Sequence, residues 1–547
     1  MHRKAGRFTA VSWSGACASA HAICHSLLDK AVIREILSEL TQKPKEMPTT
    51  PITASMLYDF VQCRHRVYMD VHGPQDLREE PNAFVELLWE QGVQHEAAIV
   101  SILPGVLNLR TIPPSEREAA TRKAMADRVP LIYGGRLTHN GTIRMVGEPD
   151  LLRLRGCGYR AGDIKSGSGI DGDELAALKP SYALQVAHYT NILELEGLSD
   201  GSRDAFIIDG TGTEFTYPLA DKRGPRNPQT WWDFYLECLQ DVHARVSLQV
   251  NSIGAMSALC KICHWRPVCK AALVAADDLT QIAELGRAKR DTMATQLPTV
   301  AALAACNPDA LVTGSKTVFE GIGPTTLRRL HERAVLLKTP NAQPYLREAL
   351  TLPIMAKEVF FDIEADPMRD LVYLHGFVER AHGQPASARF TPVLAESATA
   401  TAEEQAFGES WAYLCARVVD SVVYYYSKYE RTAYKKLAGK YPAVCSVADV
   451  EALFALPNMI DLYFDVVKKA TEWPTNDQSI KTIAVFLGFH WRDSNPSGAA
   501  SIEWYARWVE TGDPAIRQRI LDYNEDDCLA TGVVVDGVRQ LQVRATA

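Results

Sequence analysis

The 547-residue sequence contains no apolar run of the roughly 18 residues that a membrane-spanning helix needs. It also lacks the phosphate-loop motif G-x-x-x-x-G-K-[ST], so we expect any helicase motor to belong to another chain. No period of 20 to 50 residues repeats, which excludes a solenoid. The net charge of -8 argues against a simple basic nucleic-acid coat protein.

The length and the composition predict several ordinary globular units. Apolar residues make up 47% and charged residues 23% of the chain, which are ordinary globular values. Single hydrophobic cores stop growing at about 300 residues, so the chain should contain more than one domain. We expect a cytoplasmic protein, in which the twelve cysteines serve as metal ligands or small buried hydrophobes rather than as disulfides.

Changes of periodicity divide the chain into four parts. Residues 1–46 show no clear period and are expected to form a poorly ordered leader. Residues 47–275 combine helical segments with a pair of strands, and Ser55 is the expected N-cap of their first helix. Residues 276–350 predict a helical linker with two short helix pairs. In residues 351–547 strands alternate with helices, so the fold class predicted for the chain is α/β.

The most informative pattern of the first half is GEPD followed by DIK. Two segments with alternating apolar and polar residues, joined at Gly156 to Gly158, predict adjacent strands. Asp163 and Lys165 lie two apart on the second strand and share a face, which Asp150 at the end of the first can reach. Two carboxylates suit magnesium or manganese, and a lysine can activate the attacking water. A solvated hairpin with Asp and Lys paired across it is the alternative.

The order of further residues around this pair resembles the RecB family of PD-(D/E)-x-K nucleases. G-x-x-H ends at His95, and Q-x-x-x-Y places Gln185 and Tyr189 on one helix face, so the resemblance covers residues 92–189. It implies a restriction-endonuclease-like core. Metal ligands would be His95, Asp150 and Asp163, Lys165 would assist the attack, and Gln185 and Tyr189 would position the DNA strand.

The segment CKICHWRPVC offers three cysteines, Cys260, Cys263 and Cys269, where a tetrahedral site needs four ligands. RecB-like nucleases of the AddB type carry a 4Fe-4S cluster with one cysteine before the core and three after it. The resemblance therefore implies that Cys63 is the fourth ligand. Zinc is the alternative, with His264 as a competing ligand, and Cys17 with Cys24 form an alternative pair.

The linker segment FEGIGPTTLRRL resembles a helix-hairpin-helix element. Backbone N–H groups at Gly321 and Gly323 would approach a DNA phosphate, with Arg328 and Arg329 nearby, without reading sequence. A plain helix-capping turn is the alternative.

The second half carries its own acidic pattern. Asp362 and Glu364 lie two apart on the apolar strand segment FFDIEAD, and Tyr523 and Asp527 lie four apart on a helix. Apolar strands rarely carry two acids on one face unless the acids are used. Binding two metal ions for phosphodiester cleavage is one such use.

D-x-E early and Y-x-x-x-D late resemble the DEDD exonucleases, which have an RNase H-like fold, over residues 357–535. The resemblance implies that Asp362, Glu364, Glu430 and Asp527 hold two ions and that Tyr523 orients the water. Glu430 stands where the group usually has Asp, and Asp461 is the second candidate for that role.

Together the two resemblances match RecB-like nucleases that carry a cysteine cluster and a C-terminal RNase H-like exonuclease domain. They predict a magnesium- or manganese-dependent nuclease that acts on single-stranded DNA or DNA ends in repair, recombination or defence, with a helicase or defence-system partner. The alternatives are an inactive nucleic-acid-binding module and a zinc-bound scaffold.

Overall fold

The computed structural model describes residues 50–544 apart from 82, 172–176, 226 and 495. The expected leader and the cysteine pair Cys17 and Cys24 lie outside the described residues. Within the described part of the chain, no helix is long and apolar enough to cross a membrane.

Within the described residues, the N-terminal part combines six α-helices with a six-stranded sheet, a three-stranded sheet and two two-stranded pairs. Its helices are α1 (Ala54–Gln62), α2 (Arg64–His72), α3 (Ala83–Ile102), α4 (Pro114–Ala126), α5 (Pro180–Leu195) and α6 (Trp231–Val246). Its main strands are β1 (Ile52–Thr53), β2 (Val106–Asn108), β3 (Leu131–Tyr133), β4 (Leu137–Asn140), β5 (Arg144–Gly147), β6 (Leu151–Arg155) and β7 (Gly158–Ile164). Short strand pairs and the sheet edge follow as β8 (Ile170–Asp171), β9 (Ala177–Leu178), β10 (Asp204–Ile208), β11 (Glu214–Pro218), β12 (Lys222–Gly224) and β13 (Asn227–Thr230).

The six-stranded sheet has the order β11-β10-β7-β6-β3-β2. Its central hairpin is the predicted one: β6 and β7 pair antiparallel, with Leu151 opposite Gly162 and Arg155 opposite Gly158. Helix α5 packs on this sheet, and its side chains from Ser181 to Leu193 are almost all buried. The sheet and α5 therefore fix the positions of the acids at the end of β7.

The first helix begins differently from the prediction. Thr53, not Ser55, is its N-cap, because the Thr53 hydroxyl accepts a hydrogen bond from Met56 N. Cys63 does not lie inside a continuous helix. It has extended backbone between α1 and α2, which turns its side chain out of the helical repeat.

The linker contains more elements than two helix pairs. Helix α7 (Arg266–Ala275) ends the preceding cysteine segment. The helices of the linker are α8 (Arg287–Met293), α9 (Val300–Ala305) and α10 (Pro324–Lys338), and its strands are β14 (Val312–Thr313), β15 (Lys316–Thr317) and β16 (Tyr345–Leu346). A hairpin of β14 and β15, not a helix, directly precedes the FEGIG turn. The predicted second helix pair is therefore wrong, and its apolar residues join a separate small core around Leu327 and Leu330.

The C-terminal part is built on a five-stranded sheet of order β19-β18-β17-β20-β21. The strands of this sheet are β17 (Lys357–Asp366), β18 (Leu371–Ala381), β19 (Arg389–Leu394), β20 (Ser421–Tyr425) and β21 (Met459–Asp461). The short β22 (Thr471–Glu472) lies outside it and pairs with β16. The first three strands of the sheet are antiparallel, and β20 and β21 run parallel to β17. Strand β17 is central, and both of its faces are buried.

Helices cover both faces of this sheet. They are α11 (Ala400–Arg417), α12 (Tyr429–Lys440), α13 (Val447–Phe454), α14 (Lys468–Ala470), α15 (Ile480–Phe486), α16 (Gly498–Thr511) and α17 (Pro514–Gln540), with a π-helical turn at Leu462–Val467. Helix α17 crosses β17 and β18 and contacts both. The Gly532 position faces the Phe360 ring, where a Cβ would lie 2.9 Å from a ring carbon. This close approach sets the distance between α17 and the acidic residues of β17.

The parts contact one another directly. On α3 of the N-terminal part, Phe84 and Leu87 pack on the C-terminal core beside Trp504 of α16. On α10 of the linker, Arg329 donates to Glu472 Oε1 at 2.6 Å. The chain therefore holds its two acidic regions in one arrangement.

Candidate functional site

Three carboxylates from two distant segments meet on the C-terminal sheet. Asp362 and Glu364 lie two positions apart on β17 and so share a face of the sheet. Helix α17 places Asp527 over that face. One ligand oxygen of each lies within 4.8 Å of the others. Among the residues that the structure describes, no other three His, Cys, Asp or Glu side chains meet this condition.

Neighbouring side chains fix the orientation of each acid. Asn524 Nδ2 donates to Asp362 Oδ2 at 2.8 Å, and Trp491 Nε1 donates to Asp527 Oδ1 at 2.7 Å. Glu364 is hydrogen-bonded to Ser501 and Tyr373. The acids are therefore oriented before any ligand arrives, as a metal site requires.

Burial and mutual repulsion disfavour the charged forms of these acids. Burial, followed by the charge of Asp527, raises the pKa of Glu364 to about 8. Burial and the charges of Asp527 and Glu364 raise the pKa of Asp362 well above its usual range. A bound divalent cation would relieve this repulsion, so the donor set fits magnesium or manganese.

Glu430, in the first turn of α12, is the fourth acid that the sequence predicts for this site. It is 2% exposed on α12, its charge contributes to the raised pKa of Asp362, and burial raises its own pKa to about 8. Its Oε2 is buried without a hydrogen-bond partner in the described part of the chain. Such an oxygen is costly unless a ligand meets it, which fits the expected fourth acid. Asp461 instead caps the π-helical turn by accepting from Phe464 N at 2.9 Å.

Tyr523 lies where the Y-x-x-x-D pattern predicts, one helical turn before Asp527, and hydrogen-bonds to its carboxylate. The phenol also accepts a hydrogen bond of 2.8 Å from Lys481 Nζ. Sequence reasoning missed Lys481, which lies on α15 more than 40 positions before Tyr523. Its place within SIKTIAVFLGF, a segment that also resembles the DEDD exonucleases, was the available signal.

The first acidic region gathers at the end of β7. Asp163 Oδ1 accepts from Asp150 N at 3.2 Å, Asp150 Oδ2 accepts from Ile164 N at 2.9 Å, and Lys165 Nζ lies 2.7 Å from Asp163 Oδ2. Asp150 and Lys165 therefore lie on the same side of the sheet. The buried position of both aspartates disagrees with a solvated hairpin.

Electrostatics in this region resemble those of the C-terminal site. Burial and the charge of Asp163 raise the pKa of Asp150 well above its usual range. Burial alone would lower the pKa of Lys165, but Asp163 and Asp150 more than offset it and raise that pKa. Lys165 therefore stays charged beside the two carboxylates, where it can balance a phosphate.

His95 takes a different partner in the structure. Its Nε2 lies 3.1 Å from the carbonyl oxygen of Asp209, and its ring does not join Asp150 and Asp163 within 4.8 Å. Arg110, which sequence reasoning did not single out, occupies the neighbourhood instead. Its Nη2 donates to Asp150 Oδ1 at 2.9 Å and to Glu96 Oε1 at 3.2 Å.

Gln185 and Tyr189 lie on α5 as predicted. Gln185 Nε2 donates to Tyr189 Oη at 3.3 Å, and burial followed by the charges of Asp163 and Asp150 raises the pKa of Tyr189 well above its usual range. The pair therefore borders the first acidic region. Gln185 Oε1 is buried without a hydrogen-bond partner among the described residues.

All four predicted cysteines line one cavity of about 250 Å³. Cys63 reaches it from the junction of α1 and α2, and Cys260, Cys263 and Cys269 reach it from the segment around α7. Burial, followed by the neighbouring thiols, raises the pKa of Cys269 to about 12. Four thiols that converge on one cavity fit a metal or an iron-sulfur group, since these ligate thiolates.

The donor set admits two groups. Four cysteine thiolates can hold either a tetrahedral zinc ion or an iron-sulfur cluster. Among the described residues, no three cysteine sulfurs lie within 4.8 Å of one another. His264 is not a lining residue, because its Nε2 is paired with Asp70 Oδ1 at 2.7 Å.

Two glycines shape the linker turn. Gly321 has a φ of +72°, which favours glycine, and Gly323 is the N-cap of α10. Arg328 is exposed and paired with Asp309 at 2.8 Å. Arg329, by contrast, is bound to Glu472 and Lys468 O, so it supports the fold rather than the turn.

No curated protein matches this chain significantly. Residues 359–538 match the family model of the RNase H superfamily, and this range contains all four acids and Tyr523 of the C-terminal site. Members of that superfamily are generally nucleases. The C-terminal part of the chain is therefore an RNase H-like domain.

Proposed function

We propose that the protein is a magnesium- or manganese-dependent nuclease that hydrolyses phosphodiester bonds in DNA and removes nucleotides from 3′ ends at its C-terminal site. The meeting of Asp362, Glu364 and Asp527 within 4.8 Å carries this proposal. The family match over residues 359–538 supports it.

Each residue of the C-terminal site has a role in this proposal. Asp362, Glu364, Glu430 and Asp527 would hold the cations. Two divalent ions about 3.5 to 4 Å apart stabilise both the attacking and the departing oxygens of a phosphodiester. Tyr523 would orient the attacking water through its hydroxyl, since it already lies within hydrogen-bonding reach of Asp527.

The first acidic region is proposed as a second cleavage centre, which would belong to the RecB-like PD-(D/E)-x-K type. Asp150 and Asp163 would hold a cation, Lys165 would assist the attacking water, and Gln185 and Tyr189 would position the strand. His95 would become a ligand after turning away from the Asp209 carbonyl. The support is the direct contact of Asp163 with the Asp150 backbone and with the Lys165 ammonium.

We propose further that Cys63, Cys260, Cys263 and Cys269 hold a 4Fe-4S cluster. The shared cavity supports a site with four thiolate ligands. The placement of one cysteine before the core and three after it resembles the AddB type, which carries a cluster. Because the ligands come from positions 63 and 260–269, the group would close a loop of almost two hundred residues. Closure of long loops removes the most chain entropy, so the cluster would act mainly on the N-terminal fold.

The deciding experiment measures digestion of a 5′-labelled single-stranded DNA with magnesium and with a chelator. Asp362→Asn should abolish the 3′ shortening ladder, and Lys165→Ala should remove any remaining cleavage. Glu409→Gln, an exposed acid on α11, is the matched control and should cleave normally. Unchanged digestion by the double variant Lys165→Ala/Asp362→Asn would contradict the proposal and favour a contaminating nuclease.

A binding module without turnover is the competing proposal. It predicts that the purified protein retards the labelled strand and leaves it intact in magnesium and in manganese. The same gel therefore separates the two functions.

A further inference from the structure

Lys481 is a cation placed among the acids of the C-terminal site. Its Nζ donates to Tyr523 Oη at 2.8 Å and to the carbonyl oxygen of Pro496 at 2.7 Å. The ammonium lies 4.6 Å from the centre of the Tyr523 ring and 5.8 Å from that of Trp491. Two aromatic faces and two oxygen acceptors therefore hold it in one place.

The charge of Lys481 acts on the metal-binding acids. Burial raises the pKa values of Asp362, Glu364 and Asp527, and Lys481 opposes that rise at each of them. The lysine is therefore close enough to influence all three acids, although it is not a ligand. A cation at this position also competes electrostatically with a divalent ion.

The hydrogen bonds determine the direction of the phenol proton. A phenol has a single O–H donor, and its oxygen can accept. Since Lys481 can only donate, the Tyr523 oxygen is the acceptor of that bond. The O–H must then point away from the lysine, and in the structure its partner is the Asp527 carboxylate.

We infer that Lys481 is a positioning residue for hydrolysis at this site: it fixes the Tyr523 hydroxyl so that its proton points toward the acids and the attacking water. This inference rests on the proposed nuclease function. It assigns a role to a residue other than the four acids and Tyr523, and that residue acts by holding Tyr523. The action needs the ammonium as a donor, so a lysine can be replaced only by another cationic donor of similar reach.

The first test is a double-mutant cycle with Lys481→Met and Tyr523→Phe in an Asp163→Asn background, which silences the first centre. Lys481→Met should lower kcat roughly 10- to 100-fold with little change in KM, because misorientation of a reacting group costs rate in this range. In Tyr523→Phe the same substitution should cost less than about threefold. An equal loss in both backgrounds would show that Lys481 acts through the Pro496 loop or the fold, and would overturn the inference.

Lys481→Arg is the conservative variant and should recover most of the lost rate, because guanidinium also donates to a phenol oxygen. Lys469→Met, on an exposed lysine of the same domain, is the matched control and should leave kcat unchanged. A rate of Lys481→Arg as low as that of Lys481→Met would count against the donor role.

Manganese affinity gives a readout independent of turnover. Removing a positive charge beside the acids should tighten manganese binding several-fold in Lys481→Met while kcat falls. A disrupted fold would weaken both, and that result would overturn the inference. If the unaltered protein hydrolyses no nucleic acid, the proposed function itself fails. If it does hydrolyse nucleic acid but Lys481→Met costs the same rate with and without the Tyr523 hydroxyl, only the role of Lys481 is refuted.

Discussion

Arg333 and Glu472 form a buried ion pair across the boundary between the linker and the C-terminal domain. Arg333 Nε donates to Glu472 Oε2 at 2.8 Å, and the two side chains are 3% and 0% exposed. Arg333 Nη1 also reaches Glu284 Oε2 at 2.9 Å. The linker helix α10 is thus attached to the domain that carries the site of Asp362, Glu364 and Asp527.

Arg333→Met should strongly destabilise this attachment. Removing one partner of a buried pair leaves an uncompensated charge and costs about 3 to 5 kcal/mol. Urea unfolding of the whole chain measures the loss. Arg328→Met on the same helix is the matched control, since its exposed pair with Asp309 should contribute less than about 1 kcal/mol. Equal midpoints for the two variants would contradict the buried pair.

Glu284 gives the attachment a defined pH dependence. Burial alone would raise its pKa, but hydrogen bonds from Lys468 and Arg333 lower the pKa from 4.5 to about 2. A group whose folded pKa is lowered stabilises the fold fully above its unfolded pKa and loses this effect as pH falls toward the folded pKa.

Between pH 5 and pH 3.5 the unaltered protein should therefore lose about 0.5 kcal/mol more of its free energy of unfolding than Glu284→Gln does, because solvent screens the partly exposed Glu284. Urea unfolding at the two pH values checks this difference. Parallel losses in the two proteins would show that Glu284 is not engaged with Arg333 and Lys468 in solution.

Metal addition should stabilise the protein through the C-terminal acids. A ligand that binds only the folded state raises the unfolding temperature, and here it also relieves repulsion among Asp362, Glu364 and Asp527. In an Asp163→Asn background, millimolar manganese should raise Tm by several degrees, and Asp527→Asn should remove that shift. Asp527→Asn should also unfold at an equal or higher temperature without metal, because one buried acid has lost its charge. Glu409→Gln should keep the full manganese shift, and loss of the shift in that control would contradict the assignment.

The cysteine cavity predicts the metal content. Protein purified without oxygen should be brown and contain about four iron atoms per chain. Cys263→Ser should lose the colour and most of the iron. The exposed Cys157 provides the control, since Cys157→Ser should retain both. One zinc per chain and no colour would contradict the cluster.

The linker turn predicts a weak contact with the nucleic-acid backbone. Arg328→Ala should weaken binding of unrelated DNA sequences to a similar extent and reduce the salt slope by about 1. Lys316→Ala, an exposed cation on the neighbouring hairpin, tests whether any positive charge in the linker has this effect. An unchanged slope in Arg328→Ala would favour the plain capping turn.

The sequence predicted the acids because their positions follow from local periodicity. Alternation on a strand placed Asp362 with Glu364, and helical spacing placed Tyr523 with Asp527. The hairpin that joins Asp150 to Lys165 was predicted for the same reason. Patterns of this kind depend only on the backbone repeat of one element.

Residues that depend on tertiary contacts could not be found in this way. Lys481 and Arg110 reach their sites from other elements, and neither lies in a repeated pattern. The N-cap was misplaced because Thr53 and Ser55 both have capping hydroxyls, and the packing of β1 beside β5 favours the earlier one. The break at Cys63 has no glycine or proline to mark it.

Helix α3 contacts the C-terminal core at Phe84 and Leu87 and carries His95 eleven positions after Phe84. At about 1.5 Å per residue, one rigid rod of roughly 16 Å joins that contact to the first acidic region. A fragment cut between the two halves would leave an apolar groove open to solvent on the C-terminal piece. Separating the two chemistries therefore calls for point substitutions in the intact polypeptide rather than for truncation.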